Sequence, residues 1–217
     1  MDLKEKLVKA IEEAKSKAKK RNFLQSVDLT INFKGVDFSK PDKRINITVS
    51  LPKGRGKPLK AAVIAGDELI TKAKKTDARV ISKEELEKLS GNKKEIKKIA
   101  NEYDVFFSQP DLMPLVGKIM GQALGPRGKM PKPVPPNADL ELLIKNASKM
   151  INLRTKGKFL PTLHACIGTE DMSNEDLAEN AVAVINALIE KLPNREGNLK
   201  SIYVKTTMGP SVKVELK

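Results

Sequence analysis

Thr206-Thr207-Met208-Gly209-Pro210-Ser211 places hydroxyl donors, an apolar side chain and a glycine within six residues. Hydroxyls donate to phosphate oxygens and to ribose 2′-OH groups, methionine packs against a sugar or a base, and glycine brings backbone to a nucleotide without an intervening Cβ. The 217-residue chain has 41 Lys and Arg against 27 Asp and Glu, a formal net charge of +14. A folded polyanion is the partner that uses all these features together. As plain structure, the same Gly-Pro pair needs only to connect two strands.

Three other constellations resemble chemistry and fall short of it. In Gly121-Gln122-Ala123-Leu124-Gly125-Pro126-Arg127-Gly128-Lys129, a phosphate-cradling loop would need glycine at Ala123 and a hydroxyl at Met130. Gly54-x-Gly56 is followed by Leu59 where a dinucleotide fingerprint has its third glycine. His164 and Cys166 lie two apart and share a strand face, but sequence neighbours on one strand rarely form a catalytic dyad. They are the only histidine and cysteine, so no internal disulfide, multi-Cys zinc site or His-based catalytic set is expected. No catalytic residue, metal or cofactor is expected.

The elements that position these residues come in two styles. Leu3, Leu7, Ala10, Ile11, Ala14 and Ala18 line one face of a predicted helix over 2–20. Val27, Leu29, Ile31 and Phe33 alternate with Asp28, Thr30 and Asn32, and Ile45, Ile47, Val49 and Leu51 alternate with polar residues; both read as half-buried strands. After the breaker-rich stretch Pro52–Pro58 come short unbroken apolar runs, 61–65, 80–81 and 105–107, between predicted helices near 67–75, 83–101, 111–121 and 139–150. Strands buried on both faces and separated by helices imply a parallel sheet. The one-faced style then returns in Leu163, Ala165 and Ile167, a helix opening at Ser173 with Asp176 in its capping box, and Val212, Val214 and Leu216.

This pattern predicts an α/β chain of two domains. A discontinuous α+β domain comprises 1–65 and 158–217, and an α/β domain of 66–157 is inserted in it. The lysine clusters at 15–20, 72–75 and 93–98 are each explained by solvated helix faces. No run reaches the roughly 18 apolar residues of a membrane span, and the first residues lack the layout of a signal peptide, so a cytoplasmic protein without a membrane partner is expected. Aromatics are only 4%, which disfavours binding by rows of stacked bases.

Three segments in order, Ser50-Leu51-Pro52-x-Gly54-x-Gly56-Lys57, Gly125-Pro126-Arg127-Gly128-Lys129-Met130-Pro131 and Thr206–Ser211, resemble the ribosomal protein L-one family over essentially the whole chain. The style of the chain looks archaeal. The resemblance implies a split βαβ domain carrying a Rossmann-like, three-layer α/β insertion. It also implies binding to large-subunit ribosomal RNA at the mobile stalk, help in releasing deacylated tRNA from the exit site, and repression of its own messenger RNA through a mimic of the ribosomal site. Free of the ribosome, such a protein would be a monomer. Carried over by motif, the RNA-contacting positions would be Phe23, Asp28, His164, Ser201, Thr206, Thr207, Met208, Gly209, Pro210 and Ser211. Asn22 stands before Phe23 where bacterial relatives commonly have lysine.

Overall fold

A strand with apolar residues at every second position must bury one face, and Ser26–Phe33 does so: Val27, Leu29, Ile31 and Phe33 are buried while the residues between them are half-exposed. In the computed structural model, residues 3–40, 43–66, 70, 73, 76, 78–136, 138–155 and 160–215 are described. Along the chain run α1 (Leu3–Ser16), β1 (Ser26–Phe33), β2 (Asn46–Ser50), β3 (Ala61–Ile64), β4 (Arg79–Ile81), α2 (Lys83–Lys88), α3 (Lys93–Glu102), β5 (Val105–Ser108), α4 (Met113–Leu124), β6 (Lys132–Pro133), α5 (Leu140–Lys149), β7 (Met150–Arg154), β8 (Thr162–Thr169), α6 (Asn174–Lys191), β9 (Leu199–Thr206) and β10 (Val212–Val214). The fold is mixed α/β. It divides into two compact units, Met1–Lys57 with Lys149–Lys217, and Pro58–Ser148.

In the first unit four antiparallel strands lie in the order β10-β9-β1-β8, and β2 pairs with β7 in a separate two-stranded sheet. Leu7, Ile11 and Ala14 of α1 and Leu177, Ala181, Val184, Ile185 and Leu188 of α6 join the inward residues of these strands in one core. Ser173 caps α6 by accepting from the Asp176 amide at 3.1 Å. Buried Asn180 on α6 accepts from Lys53 N and donates to the carbonyls of Gly54 and Ile167, which fastens the Pro52–Lys57 loop to β8.

In the second unit the parallel strands lie in the order β4-β3-β5-β6. Neighbouring residues on a strand point to opposite faces, so Ala62, Ile64 and Phe106 join a core with α2, α3 and α4, and Ala61, Val63 and Phe107 join another with Leu140 and Ala147 of α5. Covering both faces requires the unbroken apolar runs seen in the sequence.

The sequence reading assigns 61–65 to the terminal segments and 149–157 to the insertion, whereas hydrogen bonding pairs β3 with β4 and β5 and joins β7 to β2. Strand β7 hides behind the polar Asn152 and Arg154, which show little apolar run to read. The single helix expected over 83–101 is two helices, because Gly91 has φ +97° and Asn92 opens α3 by accepting from the Glu95 amide. The expected helix near 67–75, the lysine cluster at 72–75 and Leu216 lie largely or wholly outside the described residues.

Candidate nucleic-acid interface

The face of the four-stranded sheet opposite α1 and α6 is built from the polar half of each alternation. Across it Cys166, Asp28 and Lys205 lie in one row; His164, Thr30, Tyr203 and Lys213 in the next; Thr162, Asn32 and Ser201 in a third. Thr30 Oγ1 and His164 Nδ1 are hydrogen-bonded at 3.1 Å, and Asn32 Nδ2 donates to Ser201 Oγ at 3.0 Å. Ser201 accepts that bond and is itself only 8% exposed. Asp28, Thr30, His164, Ala165, Cys166 and Lys205 line a shallow depression of about 380 Å³. Burial pushes the Asp28 carboxyl up from its ordinary range, and Lys205, His164 and Lys57 partly offset the rise.

The Thr206–Ser211 turn stands at the end of this sheet, where β9 leaves for β10. Thr207, Met208, Pro210 and Ser211 are exposed, Met208 at 59%. Thr206 is not: its side chain is on the core side, 1% exposed, and its Oγ1 is buried without a hydrogen-bond partner among the described residues. The chain turns above it through a Gly209 N to Thr206 O bond of 3.2 Å, and a Cβ on Gly209 would overlap Thr206 Oγ1. Glycine is therefore required here by close packing within the protein. Thr207 is anchored as well, its Oγ1 accepting from Ser26 N at 3.0 Å while its amide donates to Ser26 O. Ser26 Oγ in turn accepts from Lys57 Nζ at 2.8 Å.

Of the ten positions expected to contact RNA, Asp28, His164 and Ser201 share the open face and Thr207, Met208, Pro210 and Ser211 form the exposed turn beside it. Phe23, 50% exposed, precedes β1. Thr206 and Gly209 sit beneath the turn surface as one packed pair. Thr30, Asn32, Tyr203, Lys205 and Lys57 belong to the same surface. The period-two alternation of β1 carried the signal for Thr30 and Asn32, whereas Lys57 depends on the fold of a distant loop. His164 and Cys166 do share a face, but His164 bonds Thr30 and the Cys166 thiol lies 3.5 Å from Gly168 O, so they make no dyad.

The charge is uneven. The first unit holds 25 basic against 15 acidic residues, net +10, and the second holds 16 against 12, net +4. In the second unit the cations of the Gly125–Lys129 loop turn inward to protein carbonyls. Lys129 Nζ donates to Ala100 O and Tyr103 O at the C-terminal end of α3, and Arg127 donates to Asn101 Oδ1 and Ala123 O. Open parallel sheets bind nucleotides where the strand order reverses, here at the C-terminal ends of β3 and β5. That place is filled by Gln109, whose Oε1 takes the Gly66 amide at 2.7 Å.

Fold and site together define a class: a basic, mixed α/β protein with an open polar sheet face and a glycine-built turn beside it. Residues 6–210 match the Ribosomal protein L1p/L10e family. The chain is 49% identical over 213 residues to the "Large ribosomal subunit protein uL1" of Thermococcus kodakarensis, covering 98% of each chain. It is 49% identical over 212 residues to the protein of that name from Methanothermococcus thermolithotrophicus, covering 98% of this chain and 99% of the relative. Against that of Methanopyrus kandleri it is 47% identical over 194 residues. The chain belongs to the ribosomal protein L1p/L10e family.

Proposed function

We propose that this chain is a non-enzymatic protein of the large ribosomal subunit, in the cytoplasm, whose first unit binds a folded segment of large-subunit ribosomal RNA at the mobile stalk. In fold terms, that unit is a split βαβ domain and the second a Rossmann-like insertion. The observation that carries the reading is the coincidence, in one unit, of the +10 charge with an uncovered polar sheet face. Phosphates meet the lysines, and the hydroxyls of Ser201 and Ser211 with the Asp28 carboxylate meet ribose and base edges, while the Thr207 hydroxyl, bonded to Ser26 N and Ser26 O, holds the turn beside them. Phe23 and Met208 supply apolar contact, His164 sits between the two groups, and Pro210 stiffens the turn that Thr206 and Gly209 shape from beneath. By family likeness, the protein assists release of deacylated tRNA from the exit site and represses its own messenger RNA through a mimic of the ribosomal site. It acts as a monomer off the ribosome and uses neither metal nor cofactor.

Titrating the full chain against a stalk RNA fragment and an unrelated hairpin of equal length tests this. Log affinity for both should fall with log salt, roughly 0.7–0.9 per phosphate contacted. The preference for the stalk fragment should persist at moderate salt, because fitting a folded shape is less salt-sensitive. Equal affinities there would refute the specific site.

A further inference from the structure

Gln25 is a buried polar residue, 1% exposed, immediately ahead of β1. A carboxamide withdrawn from water must satisfy its donors and acceptor within the protein. Gln25 does so by reaching three different loops. Its Nε2 donates to Glu170 Oε2 at 3.1 Å and to Lys19 O at 3.3 Å, and its Oε1 accepts from Met208 N at 3.1 Å. Its backbone closes the arrangement, Gln25 N donating to Glu170 Oε1 and Glu170 N donating to Gln25 O, both at 3.0 Å. One side chain thereby ties the segment after α1, the segment after β8 and the exposed turn after β9.

The orientation of the carboxamide is fixed by its neighbours. Glu170 and Lys19 offer only acceptors and so require the NH₂ end, while the Met208 amide is a donor and requires the oxygen. A flipped or charged side chain cannot serve all three. Neither Gln25 nor Glu170 is on the open sheet face, and neither is among the residues proposed to touch RNA.

We propose that the Gln25–Glu170 pair is a positioning device for RNA recognition: it holds the Met208 backbone, and with it the exposed part of the Thr206–Ser211 turn, in the shape that meets the RNA. This rests on the proposed RNA-binding function of the same turn. Preorganisation of this kind lowers the ordering cost at binding, and its loss appears mainly as faster dissociation.

The test is a polarity swap. Gln25→Glu, read at a pH where both carboxyls are ionised, sets a carboxylate against the Glu170 carboxylate, and Glu170→Gln sets its NH₂ against an N–H of Gln25, so each single variant breaks the pair at nearly constant shape. In the double variant a carboxylate at 25 again accepts from Met208 N and a carboxamide at 170 again donates across the pair; only the Lys19 bond stays lost. Each single variant should weaken stalk-RNA binding by about tenfold, the equivalent of one hydrogen bond, chiefly through dissociation rate. The double variant should recover most of that loss. Hydrogen exchange at the Met208 amide, read in the RNA-free proteins, should accelerate in both single variants and slow again in the double. Single variants that bind as the parent does, or a double variant no better than the singles, would overturn the proposal. So would unchanged Met208 exchange, which decides the matter without RNA; a parent chain that shows no stalk-RNA preference instead refutes the binding function and leaves the exchange measurement standing.

Discussion

Gly209 packs directly over the buried hydroxyl of Thr206, so the turn that faces solvent and the strand end that faces the core share one close contact. This makes the turn's shape a property of the folded protein before any RNA arrives.

Gly209→Ala should therefore destabilise the free protein. Its Cβ would overlap Thr206 Oγ1 and come within 3.3 Å of Ala18 Cβ. Overpacking of this kind costs on the order of 1–3 kcal/mol. Thr206→Ala removes the obstructing atom, so the double variant should regain part of the loss in urea unfolding. Strict additivity of the two changes would contradict the contact.

Thr207→Val is expected to lower both stability and binding. The sequence alone suggests a hydroxyl free for RNA, but this one already accepts from Ser26 N. Losing the bond should cost roughly 0.5–1.5 kcal/mol of unfolding free energy. Thr207→Ser keeps the hydroxyl and should retain most of both properties, as urea unfolding and RNA titration on the same samples would register.

Asp28→Asn should separate stability from binding. With its pKa raised in the folded state, Asp28 holds its proton to higher pH than in the unfolded chain, so its stabilising contribution is present in acid and disappears as pH rises through the raised value. At neutral pH the amide variant should melt no lower than the parent, with a flatter dependence of stability on pH above the ordinary carboxylate range. Its affinity for stalk RNA should nonetheless fall, because a carboxylate acceptor for ribose or base donors is gone. A lower melting temperature with unchanged affinity would reverse both assignments.

Much of this architecture is written in period-two and apolar-run patterns. Val27 to Phe33 announces a one-faced strand, 61–65 and 105–107 announce strands covered twice, and Ser173 announces a helix start that the structure caps as expected. Pairing was not legible, since β7 finds β2 across about a hundred residues and nothing local in Met150–Arg154 names its partner. At the site, alternation placed Asp28 and His164 on one face. It could not show that Thr206 turns inward, that Lys57 arrives at Ser26, or that Gln25 reaches Met208, because each depends on how separate loops meet.

We propose that the first unit alone recognises RNA. Among the described residues its core draws only on that unit, and Leu51 N donates to Lys149 O at 2.7 Å, which holds the two chain segments side by side next to the cut. A chain of residues 1–57 joined by a short linker to 149–217 should fold, and calorimetry against the stalk RNA fragment should return an affinity within about tenfold of the full protein, a loss of no more than about 1.4 kcal/mol. A folded two-segment protein that no longer prefers the stalk fragment over an unrelated hairpin would contradict the account.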